Sequence, residues 1–101
     1  MNINVAKCLV VSKVLVADGI MGDDEKEFLA RVIRKHGLTD AERRSVIDLE
    51  GLDEADAIVA QLALEERREL LALLVDAAGA DGKLSPHEMA TVKKLTAALK
   101  L

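Results

Sequence analysis

Apolar positions in this chain fall into two dense runs and several sparser helical stripes. The run INVAKCLVVSKVLVA, residues 3–17, is apolar on nearly every side, and LEERRELLALLVDAA, residues 64–78, is the second. Valine would also suit a strand. The length of the first run, its lack of a hairpin signal, and the Ala, Leu, Glu, Lys and Arg of the other segments predict a helix instead. Between and after these runs the period is helical. Phe28, Leu29, Val32 and Ile33 share one face of a segment at about 23–36, with Arg31, Arg34 and Lys35 largely opposite.

The punctuation agrees with this reading. Gly37 closes the second segment, and Thr39 with Glu42 three residues on forms a capping box that opens a third helix through about residue 50. Gly51 is expected to stop it. A short fourth helix at about 53–62 places Ile58, Val59 and Leu62 inward. Ser85-Pro86-His87-Glu88 reads as another capping box with proline at the first helical position, opening a last helix to about residue 99. The prediction is a single all-α domain over 1–101, a bundle of about six helices with the two most apolar ones at its centre.

Composition adds exclusions. The chain has 101 residues, 50% of them apolar, with 18 acids against 14 bases for a net charge of −4. That balance repels phosphate backbones, and Phe28 is the single aromatic, so no stacking platform for nucleic acid is expected. One cysteine, Cys8, permits no internal disulfide and points to a reducing, cytoplasmic setting. The N-terminal segment lacks the basic start of a secretory signal. No run reaches membrane-spanning length, so no membrane insertion is expected.

A repeat lies beneath the helical pattern. Shifting the chain by 63 residues lays Ala17-Asp18-Gly19 on Ala80-Asp81-Gly82, Glu25 on Glu88, Leu29 on Val92 and Val32 on Leu95. The copies run from about 5–38 and 68–101, with linking helices in 39–63. Each has an apolar helix, an Asp-Gly turn, and an amphipathic helix entered with a Glu seven residues after the Asp.

This spacing matches the second half of a calcium-binding EF-hand loop, in which a fifth-position Asp, a sixth-position Gly and a twelfth-position Glu surround the ion. The first half is missing. Loop positions one and three would be Val14 and Val16 in one copy and Ala77 and Gly79 in the other, none of which ligates through a side chain. Asp18 with Glu25, and Asp81 with Glu88, can share a hard cation if turn carbonyls and water complete the shell. The expected Kd is about 10⁻⁵–10⁻³ M. The alternative is structural: Gly19 and Gly82 take φ > 0, the aspartates cap nearby amides, and the glutamates sit in first turns where the helix dipole favours them.

The ADG turn, the apolar residue two beyond its glycine, the Glu four further on, and the repetition of this unit around two short helices resemble the TerB-like domain of tellurite-resistance proteins. ADGKLSPHE is the segment nearest to that family's usual form, and the resemblance covers nearly the whole chain. It implies an all-helical fold, a role in tellurite resistance or a related stress response, and divalent-cation binding through Asp18, Glu25, Asp81 and Glu88. Calcium or magnesium suits such oxygen ligands. The first copy departs from the pattern, with Gly22 where Ser85 stands in the second, and with extra carboxylates at Asp23 and Asp24.

Other candidates carry less. Neither His36 nor His87 has a Glu three residues upstream, so the Glu-x-x-His of di-iron bundles is missing. Cys8 and Ser12 lack a basic partner and a nucleophile elbow, respectively. The arginine pairs 43–44 and 67–68 read as solvent-facing partners for acids. Asp48, Glu50, Asp53, Glu54 and Asp56 form a run without a base. That run supports a second reading, an interaction domain for a protein partner or a second copy, with purely structural turns. Both readings are non-enzymatic.

Overall fold

The computed structural model describes every residue except Asp18, Ile20, Asp81, Lys83 and Leu84. The described residues form six helices and no strand: α1 (Ile3–Leu15), α2 (Asp23–Lys35), α3 (Asp40–Ile47), α4 (Leu52–Val59), α5 (Leu64–Ala78) and α6 (Pro86–Ala98). The bounds follow the internal offset. Moved by 63 positions, α2 coincides with α6 from first residue to last, and the end of α1 coincides with the end of α5.

α1 is the axis of the bundle because its sequence leaves it no polar face. Val5, Ala6, Cys8, Leu9, Val10, Val11, Val14 and Leu15 are all buried, and α1 packs against each of the other five helices. Its one buried hydroxyl, Ser12, donates to the Cys8 carbonyl at 3.0 Å, so no polar group is left over there. Asn2 starts the helix by accepting from the Val5 amide at 2.8 Å. The second apolar helix is enclosed less fully. α5 buries Leu70, Leu74, Ala77 and Ala78, while Val75 is 53% exposed and the charged first half faces outward.

Two helix ends differ from expectation, one of them that of α4, which stops at Val59 rather than near residue 62. α3 stops at Ile47, short of Gly51, because Leu49 itself adopts the left-handed backbone (φ 56) and the Glu50 amide donates to the Ser45 carbonyl at 3.0 Å. Gly51 instead precedes α4 as its N-cap. The Thr39 box is as predicted: the Thr39 amide donates to Glu42 at 2.9 Å, and the Glu42 amide donates to the Thr39 hydroxyl at 3.2 Å.

Several charges taken as solvated are structural ties. Lys13 donates to Asp56 at 2.7 Å, fastening α4 to α1, so the acidic run of 48–56 is not one free face. Arg67 donates to the Leu99 carbonyl at 2.8 Å and satisfies the end of α6, a role unlike the ion pairing expected of it. No helix among the described residues is long and apolar enough to cross a membrane.

Candidate functional site

Where each repeat passes from its first helix to its second, the described amides pair alike. In the first, the Ala17 amide donates to Val14 and the Gly19 amide to Val16; in the second, Ala80 donates to Ala77 and Gly82 to Gly79. The four distances lie between 3.0 and 3.2 Å. Gly19 (φ 117) and Gly82 (φ 78) occupy the half of backbone space that side chains disfavour, which is why a glycine closes each corner. Of the four site residues expected from sequence, Asp18 and Asp81 lie outside the described residues.

The other two are buried. Glu25 is 4% exposed and Glu88 is 1% exposed, the only charged side chains in the protein's described interior. Each is the third residue of its helix, α2 and α6. The first-turn position expected from the dipole argument is therefore occupied, but burial goes beyond what that argument requires.

Capping differs between the copies. Ser85 accepts from the Glu88 amide at 3.0 Å. Gly22 has no side chain to do the same, and Glu25 instead turns Oε1 back to accept from the Gly22 amide at 3.0 Å. That is half of a capping box. The other oxygen, Oε2, is buried and has no hydrogen-bond partner among the described residues. A buried carboxylate oxygen without a donor is costly, about 1–3 kcal/mol even for an ordinary polar group, and calls for a positive or donating ligand.

Among the described residues no three His, Cys, Asp or Glu side chains come together as a ready metal cluster. What the structure brings to each corner is one buried glutamate and a glycine turn. The chemistry of that donor set is all-oxygen, which fits a hard cation with remaining positions filled by carbonyls and water.

The His36 Nδ1 lies 2.8 Å from the Val32 carbonyl at the end of α2, and no cluster of metal-ligating groups forms around this ring among the described residues. Cys8 is removed from any such role: burial pushes its thiol up to about 12, so no thiolate forms near neutral pH. Sequence reasoning missed Asn2, which besides capping α1 donates to Glu42 and so links the start of α1 to the start of α3. Its position three residues before Val5 was the available signal. It also missed Leu49, for which no local pattern exists.

A domain whose described residues form two helix pairs joined by two short helices, with a glutamate buried where a glycine corner enters the second helix of each pair, is the class of protein these features define. The model of the tellurite resistance protein TerB family matches residues 4–101, and the chain belongs to that family. No curated protein and no solved structure gives a significant match.

Proposed function

We propose that the chain is a non-enzymatic cation-binding module, holding calcium or magnesium at its glycine corners, and that it serves tellurite resistance or a related stress response. Membership of the TerB family supports the second part. The first rests on one observation, the buried Oε2 of Glu25 that no described donor reaches. A divalent ion is the partner that a carboxylate in this position calls for, and Glu25 and Glu88, with Asp18 and Asp81 beside them in sequence, would hold it. The ion would supply structural stabilisation, drawing the start of the second helix onto the turn. An ion bound at 100 times its Kd adds about 2.7 kcal/mol to folding stability.

Titration calorimetry of the metal-free protein with calcium and with magnesium tests this. Saturable binding of either ion, weakened about tenfold or more in Asp81→Ala and in Asp18→Ala, is the expected result for loss of a carboxylate ligand. Absence of binding at millimolar concentrations of both ions would refute it.

A further inference from the structure

α2 and α3 both pack on α1 yet scarcely touch each other, which leaves a cleft between them. Its volume is about 490 Å³, within the range of about 300–1,000 Å³ usual for small-ligand sites. Leu29, Ile33 and Val46 form its apolar floor, and Ile47, 56% exposed, stands at its wall.

One further feature points to an occupant. In a chain with 18 acids and 14 bases, none of the described residues lining the cleft is acidic, while Lys26 and Arg43 both line it. Neither cation forms an ion pair or hydrogen bond with a described side chain, so both are available to an anion.

We infer that the α2–α3 cleft binds a single-chain anionic amphiphile of the fatty-acid class. The tail lies along Leu29, Ile33 and Val46, and the carboxylate meets Lys26 and Arg43. The guanidinium fork of arginine matches a carboxylate, and two cations suit one anionic head group. A second copy of the chain is a poorer occupant, because a two-fold interface through this face would set the same cations of both copies against one another.

The test uses the full chain and laurate below its micelle-forming concentration, followed by amide and methyl NMR shifts. Saturable shifts confined to the cleft are expected. Dodecylamine, with the same tail and the opposite charge, should bind about fivefold more weakly or worse, from loss of two exposed ion pairs. Ala30 lines the cleft and is exposed, so Ala30→Trp should fill it and abolish laurate binding with an unchanged melting temperature. If that variant melts lower, the comparison of laurate with the amine on the parent chain decides alone. Equal binding of both amphiphiles, no saturation with laurate, or a concentration-dependent dimer whose interface shifts the same residues would overturn the inference.

Discussion

Replacing Glu25 with glutamine separates a cation ligand from a helix cap, because the two roles use different oxygens. Oε1 accepts from the Gly22 amide at 3.0 Å, and a glutamine carbonyl can do this equally well. Oε2 is buried without a described partner, and in glutamine it becomes an uncharged NH₂. In chelator, therefore, Glu25→Gln removes a buried charge and keeps the cap. We expect it to be as stable as the parent or up to about 1 kcal/mol more stable, from removal of a desolvated charge, since the NH₂ that replaces Oε2 is still a buried group without a described partner. For a domain of this size that corresponds to a rise of roughly 4–8 °C in melting temperature at most. With calcium or magnesium at 100 times Kd the parent should gain about 2.7 kcal/mol, roughly 10–20 °C, and the variant little of it. The order of the two proteins thus reverses between chelator and cation. Differential scanning calorimetry in the two buffers measures it. A variant destabilised by the same amount in both would show that Glu25 acts only on its neighbours in the chain, and the ligand argument would fail.

Other consequences are local. The Thr39 backbone hydrogen bond holds the Glu42 carboxyl below its ordinary value of 4.5; desolvation opposes it, and hydrogen bonds from the Thr39 and Asn2 side chains add to the lowering. A lowered folded-state value means that this contribution is fully present above about pH 4.5 and is lost as pH falls through the folded value. Acid unfolding followed by circular dichroism should accordingly show a shallower stability loss below that pH in Glu42→Gln. Cys8, fully buried with its thiol pushed up to about 12, should resist thiol reagents at pH 8 and react only at the rate of global opening, so labelling should accelerate sharply in denaturant. Leu9→Ala on the enclosed α1 should cost about 2–5 kcal/mol in chemical denaturation, whereas Val75→Ala on the outer side of α5 should stay within about 0.5 kcal/mol.

The elements most open to sequence reading were those with chemical punctuation. Thr39 and Ser85-Pro86 mark the starts of α3 and α6, and Gly37 follows the end of α2, because capping is decided by residues a turn apart. α3 was overextended because its end depends on Leu49 accepting a backbone that glycine usually takes, and nothing local in the sequence announces that. The spacing of Glu25 and Glu88 from the Asp-Gly pairs was visible, but their burial was not. It arises from how α2 and α6 lean on their neighbours, a property of packing. The ties from Lys13 to Asp56 and from Arg67 to the Leu99 carbonyl span 43 and 32 positions, so a residue-by-residue reading left those charges in solvent. The α2–α3 cleft is of the same kind, since it exists only because two helices that share α1 diverge from each other.

The chain contains its own comparison for what a glutamate at the third position of a helix requires. Glu25, Glu88, Glu42, Glu54 and Glu66 hold that position in α2, α6, α3, α4 and α5, respectively, and of these five the first two are buried. Glu42 completes both bonds of a capping box and does so at the surface, which shows that capping in this protein needs no burial. The two buried glutamates are those that follow the Asp of an Asp-Gly pair by seven residues, and they stay buried although one is preceded by Gly22 and the other by Ser85, whereas Glu54, which follows the left-handed Gly51, is exposed. A difference in caps has thus left burial unchanged. Both are buried where α2 and α6 pack on α1, and both follow an Asp-Gly pair in the sequence. Helix initiation alone supplies no reason to withdraw a charge from water, since the desolvation it incurs is of the same order as the cap it would provide. Under the proposed function, coordination of a hard cation would supply one at Glu25, because it rewards a carboxylate held dry at the mouth of a turn.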